Sequence, residues 1–430
     1  MKKLLASILA LVLLVTLFGC SAAPAASSAA PSDTGSAPAS DAQPGEKSKV
    51  VLWTWLANQQ SAIDTFNGMQ NDIEVELVQM NHTDIAQKLQ IALAADTGAA
   101  DLFQQPQRTF SNISKTEKLM DLTAVYEPHK AKFSEAITGL LTYNGKIYGM
   151  APDVCPGVLW YRKDIFEANG IGELKTWSEF EAAGKKLADK GYYMMPVFNP
   201  AGTWGANAIS MFMQSRGGNF FTADGKVIEN NAELEFTLDW FNRMLSDELG
   251  IGLTFFTPEF WGEFKSDSIV AWPMNIAEGN NIKTNIPEQA GQWDVMPFPK
   301  WDDKDTTYTG YWGGTAFGIP EMSQVKEEAL TYAEWLCTTT EGQIAMYDAW
   351  GSVPSNLEAI TNDHFKKGDD FFSGNNPLAN INEVPPFYYF DFATVESVVG
   401  EQVDLMFAGK QDPATTARNI EKNLKESTGR

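Results

Sequence analysis

VVLWTWLANQQSAIDTFNGMQNDIEVELVQMNHTDIAQKLQIALAADTGAADLFQQPQR, residues 50–108, is the stretch that decides the fold. Val50 to Trp55 is an apolar run of strand length, and Ile73-Glu-Val-Glu-Leu77 alternates with period two, as a half-buried strand does. Thr83 is placed to cap a helix whose apolar positions Ile85, Leu89, Ala92 and Leu93 keep helical spacing. Asp101-Leu-Phe103 opens a third strand that ends in the polar run Gln104-Gln105-Pro106-Gln107-Arg108. Strand, helix and strand in this order predict right-handed crossovers and a parallel sheet, hence an α/β class. In open α/β sheets ligands bind beyond the carboxyl ends of the strands. That rule sets Trp55, Gln105 and Arg108 on one rim.

Outward from this stretch the chain bounds its own class. Tyr143 to Pro152 reads as a hairpin leading into an extended segment, Val158 to Tyr161 as a strand, and Arg162 to Gly170 as a short helix stopped by glycine. About 380 residues follow Ser48, enough for two domains. An apolar content of 44% is that of an ordinary globule. The formal net charge is −23. Such a field disfavours nucleic acid and other polyanions and tolerates neutral or cationic ligands.

The first twenty residues carry an address. Met1-Lys2-Lys3 is a basic start, Leu4 to Phe18 is an apolar run, and Leu17-Phe18-Gly19-Cys20 closes it. Such a run is too short to span a bilayer and reads as a secretory signal over residues 1–19. A cysteine directly after a small residue resembles the bacterial lipobox, which implies a thioether lipid on Cys20. Residues 20–48 are almost entirely Ala, Ser, Pro, Gly, Thr and Asp. They cannot bury enough apolar surface to offset ordering, so a disordered tether is expected, with a reach of roughly 30 Å. The expected location is the outer face of a cytoplasmic membrane, with Gram-positive architecture.

Metal and nucleophile chemistry find little support. Apart from Cys20 there are only Cys155 and Cys337, in different contexts, read as a free thiol and a packed helix residue rather than a disulfide. His82, His129 and His364 are isolated among polar or charged residues and read as surface groups. No GxGxxG, GxxxxGK[ST], GxSxG or HExxH motif occurs. Asp302, Asp303 and Asp305 hint at a calcium cage but lack the glycine and distal glutamate of a calcium loop, so a solvated loop is expected. No cofactor, metal or catalytic residue is assigned.

Against these absences stands an excess of 13 Trp, 12 Tyr and 26 Phe. Several sit beside Gly, Asn or Asp rather than in apolar runs. A pyranose offers an apolar C–H face and a hydroxyl rim, so a flat ring packs the face while Asp, Asn, Gln and Arg bond the rim. Trp55, Trp204 (within Asn199 to Asn207) and Trp312 (within Gly310 to Gly314) read as such rings, in loops. Trp272 is left open. Trp160, Trp177, Trp240, Trp261, Trp335 and Trp350 read as core.

Tyr148-Gly-Met-Ala-Pro152 followed by Tyr161-Arg-Lys-Asp164-Ile-Phe166 resembles the first lobe crossing of the family 1 extracellular solute-binding proteins. These are the carbohydrate-binding components of ABC importers related to maltose-binding protein. Thr176-Trp-Ser-Glu-Phe180, Ile269 to Asn275, Trp293 to Pro299, Gly313-Gly314, Phe317-Gly-Ile-Pro320 and Ser323 to Leu336 resemble later family motifs in the same order. The resemblance covers nearly all of residues 49–430.

It implies a two-lobed, type II periplasmic-binding-protein-like α/β fold with crossing hinge strands. The lobes would be 49–153 with 273–320, and 154–272 with 321–430. It further implies a monomer that binds a sugar or oligosaccharide between the lobes, closes by a hinge motion, and is then recognised by an ABC permease. On the matched motifs it favours Gln104, Gln105 and Arg108 after the third strand, and Asp153 at the crossing. It also favours Trp204, Asn275 and Glu278, and Tyr388 with Asp391 ahead of the penultimate helix. Two rivals are kept: a binder of another solute, such as a polyamine or peptide, and a secreted carbohydrate-active enzyme.

Overall fold

A computed structural model describes residues 47–385 and 392–430. The leader, Cys20, most of the tether, Tyr388 and Asp391 lie outside the described residues. Ser48, expected in the tether, already pairs with Ile73.

The strand Ser48–Thr54 runs parallel to Ile73–Gln79 and to Leu102–Pro106, and Thr315–Gly318 joins antiparallel beside the latter. The crossovers are helical. Gln60–Met69 buries Ala62, Ile63 and Phe66, and His82–Ala95 buries Ile85, Leu89, Ala92 and Leu93, the four positions spaced for it. Two local expectations shift. The helix cap is Asn81, not Thr83: the helix begins two residues earlier, and the Asn81 side chain accepts from the Thr83 N–H. The first strand ends at Thr54, whose hydroxyl accepts from the Leu56 N–H and turns Trp55 out of the ladder.

Two hydrophobic cores define two lobes. The first gathers the sheet above with Tyr332, Trp335 and Leu336 of the helix Lys326–Thr338 and Met346 and Trp350 of Thr340–Trp350. The second is built on the strand Asp153–Arg162, which pairs antiparallel with Ala271–Asn275 and Trp293–Pro297 and, after a bulge, with Tyr311–Gly313. Around it Trp177 meets Phe180, Phe212, Trp240, Phe298 and Trp301 at 5.0–5.2 Å between ring centroids. Trp272 is buried among Phe260, Trp261 and Phe264. It is a core residue.

These cores redraw the expected lobe boundaries. Residues 273–313 belong with the second lobe, because Ala271–Asn275 and Trp293–Pro297 flank Asp153–Arg162 residue for residue. Residues 326–350 belong with the first, where Phe66 packs on Tyr332 and Trp335 at 5.1 and 5.3 Å.

The chain crosses between lobes at 152–153, 313–315 and 350–353, and the three crossings lie side by side. Gly313 registers with Cys155, and Val353 and Pro354 register with Val154 and Asp153. Close approach there demands glycine. A Cβ on Gly314 would stand 2.4 Å from the Asp153 carbonyl oxygen, and Gly351 closes its helix at φ 73° with Asn280 against it.

Candidate functional site

A cleft of about 280 Å³ opens where the lobes meet the crossings. The first lobe supplies Trp55, His82, Pro106 and Arg108. The crossings supply Asp153, Cys155, Thr315, Trp350 and Ser352, and the second lobe supplies Trp204, Asn275, Glu278, Asn281 and Trp312. Residues separated by up to about 300 positions in sequence thus line one cavity.

The aromatic wall is a column of near-parallel rings. Trp204 stacks on Trp312 at 5.9 Å and 16°, Trp312 on Phe198 at 6.3 Å and 22°, and Phe198 on Phe255 at 3.6 Å and 23°. Trp204 is 38% exposed and Trp312 only 7%. Trp204 is therefore the outer platform and Trp312 its backing. Neither is in a loop: Trp204 sits in the first turn of the helix Gly202–Ser215 and Trp312 on the strand Tyr311–Gly313. Opposite, Trp55 meets the His82 ring edge-on at 5.8 Å.

The polar rim is held from behind. Glu278 opens the helix Glu278–Asn285, and its two carboxyl oxygens accept from Asn275 Nδ2 at 3.1 Å and Asn281 Nδ2 at 2.7 Å. Burial pushes its pKa up, against those two bonds. His82, read from sequence as a surface group, lines the cleft, and its pKa is lowered by burial and by the Arg108 charge. Arg108 Nε donates to Glu396 Oε1 at 3.1 Å, and Asn207 Nδ2 donates to the same oxygen at 3.0 Å. Arg108 and Glu396 stand on opposite lobes, in the helices Gln107–Ser114 and Phe392–Phe407.

Asp153 is one of the best-satisfied carboxylates in the chain. Its Oδ1 accepts from Thr315 N and Thr315 Oγ1, both at 2.7 Å, and its Oδ2 from Trp350 Nε1 at 3.0 Å. Its carbonyl accepts from Gln107 Nε2 at 2.9 Å. It lines the cleft, yet both oxygens are spent on the other two crossings. Trp350, read as core from the sequence, is thus also a hinge and cleft residue, and Glu396 carries no local signal that marks it in the sequence.

Gln104 and Gln105 do not line the cavity. The strand Leu102–Pro106 is buried along its whole length. Gln104 is used internally, accepting from Thr54 Oγ1 and donating to Thr315 Oγ1, both at 2.7 Å, and Gln105 donates to the His82 carbonyl at 3.1 Å. Cys155 and Cys337 are free and buried in separate cores, and burial raises both thiols. Asp302 is bonded to Ser178, and Asp303 to Arg216.

A family profile described as bacterial extracellular solute-binding protein matches residues 61–373. The arabinooligosaccharide-binding protein of Bacillus subtilis (strain 168) is 26% identical over 441 residues, 94% of each chain. The lactose-binding protein of Rhizobium radiobacter is 26% identical over 77% of this chain and 81% of its own. Among solved structures, an ABC transporter-associated binding protein from B. animalis subsp. lactis Bl-04, in complex with beta-1,6-galactobiose, superposes with a TM-score of 0.75 at 18% identity. That match covers 89% of this chain and 98% of the other. With its two lobes, three adjoining crossings and interlobe cleft, the chain belongs to the bacterial extracellular solute-binding proteins.

Proposed function

We propose that this protein is the extracellular substrate-binding component of an ABC importer. It takes a sugar or oligosaccharide between its lobes and presents it, closed, to the permease. The observation that carries this reading is the Trp204 platform, one face backed by Trp312 and the other open to a cleft rimmed by Asn275, Glu278 and Asn281. An apolar plane facing hydrogen-bonding groups is the complement of a sugar ring. Relatives named for arabinooligosaccharide and lactose support the class. Ligand contacts are assigned to Trp55, Arg108, Trp204, Asn275, Glu278 and Trp312; Tyr388 and Asp391 are kept as ligand candidates on the sequence resemblance alone. Asp153 acts on the hinge instead. The ligand leaves unchanged, and the protein works as a monomer.

Calorimetry and thermal melts of the chain from Ser21 onward, with arabinotriose, lactose and β-1,6-galactobiose, test the reading. A bound sugar at 100 times its dissociation constant should stabilise the fold by about 2.7 kcal/mol, with no product formed. Silence across the sugars with a shift from spermidine or a peptide would move the assignment to another solute.

The tether reading belongs to the same proposal: Cys20 carries lipid and holds the body to the outer face of a Gram-positive cytoplasmic membrane. Cys20→Ala should move the protein from the membrane fraction to the medium. Retention on the membrane would refute the anchor.

A further inference from the structure

The cleft contains one guanidinium, and it is already occupied. Arg108 is the only Arg or Lys lining the cleft among the described residues. Its side chain is 10% exposed, and it is paired with Glu396 at 3.1 Å, itself 14% exposed. A pair so far out of water neutralises itself, because each charge is the other's counterion where the solvent can no longer serve. Around it the remaining charge is acidic. Glu278 is held by two carboxamides, and Asp153 by three donors, the Thr315 amide and hydroxyl and the Trp350 indole. Cys155 lies close enough to feel the charges of Asp153, Glu278 and Arg108 together, so these groups share one small volume. His82 is biased toward its neutral form by burial and by that same arginine. A carboxylate entering this cavity would meet acids and an arginine whose charge is spent.

We infer that Glu396, which does not itself line the cavity, sets the charge selectivity of the site: by holding Arg108 it makes the cleft accept uncharged sugars and refuse uronic acids. The inference rests on the sugar reading above and narrows it. Glu396 acts through Arg108 and is a positioning residue. Asn207 completes the arrangement by donating to the oxygen that Arg108 also uses. A uronate would replace that oxygen if it were gone. In Glu396→Gln the buried guanidinium loses the one carboxylate it is bonded to, while Asp153 and Glu278 stay committed to their own donors, so Arg108 is left to pair with an entering anion.

The experiment is calorimetry at low salt on wild type, Glu396→Gln and Glu396→Asp. Arabinotriose, lactose and β-1,6-galactobiose serve as neutral probes, and digalacturonate and glucuronosyl-xylose as acidic ones. Wild type and Glu396→Asp should favour the neutral probes. Glu396→Gln should shift the acidic-to-neutral affinity ratio by at least about tenfold toward the acids, in a salt-sensitive way. A structural prop would lower both affinities and leave the ratio alone, and that result overturns the inference. Uronate binding by wild type as tight as neutral binding overturns it too, without need of any variant. If no neutral sugar binds wild type, the sugar class fails on its own count, while uptake of uronate by Glu396→Gln alone still decides for Glu396.

Discussion

Asp153→Ala is expected to lower the unfolding free energy by about 3–5 kcal/mol, the largest single loss foreseen for a polar residue in this chain. The carboxylate is 1% exposed and accepts from Thr315 N, Thr315 Oγ1 and Trp350 Nε1. Thr315 follows the second crossing and Trp350 precedes the third, so one side chain ties all three passages of the backbone between the lobes. Alanine leaves three donors without their acceptor in a place where donors are costly to strand, each at about 1–3 kcal/mol before they relax together. Asp153→Asn keeps an acceptor for Thr315 but sets an amide N–H against the Trp350 indole, so a smaller loss of about 2 kcal/mol is expected. Urea unfolding followed by tryptophan fluorescence measures both. Midpoints unchanged from wild type would mean that the crossings are held by strand pairing alone and that Asp153 is free for ligand.

That carboxylate also shows where sequence reading stops. The alternation over residues 73–77 and the spacing of Ile85, Leu89, Ala92 and Leu93 are local signals, and the first sheet follows from them. Membership of a lobe is not local. Ala271–Asn275 and Trp293–Pro297 read as apolar strands in either sheet, and only their register with Asp153–Arg162 assigns them to the second core. Gln104 and Gln105 look like rim residues because they are polar at a strand end. A strand buried on both faces turns them inward to bond Thr54, Thr315 and the His82 carbonyl instead. Glu396 stands 288 positions from Arg108, and no spacing rule joins two residues that far apart. Trp204 and Trp312, expected in loops because small residues flank them, both line the cleft but stand on a helix and a strand, and Trp312 is packed between Trp204 and Phe198.

Trp312→Ala and Trp204→Ala are expected to fail in different ways. Trp312 is 7% exposed and lies between Trp204 and Phe198 in the ring column. Its removal opens a void in a packed aromatic wall and should cost about 3–5 kcal/mol of stability. It also removes the support that fixes the plane of Trp204, so sugar affinity falls with it. Trp204 is 38% exposed, with one face already satisfied by Trp312 and its edge against Phe256 at 5.0 Å. Its loss should leave the melting temperature nearly unchanged. Affinity for whichever sugar binds wild type should fall by about 1–3 kcal/mol, or roughly five- to 150-fold, from lost stacking and burial. Trp312→Phe restores a ring to the column and should recover most of the stability but only part of the binding. Calorimetry alongside thermal melts separates the two quantities. Unchanged affinity in a folded Trp204→Ala would remove the platform from the site and with it the observation on which the sugar assignment stands. A shared loss of stability in both variants would instead make the whole column core, and leave the cleft to be read from Trp55, Asn275 and Glu278 alone.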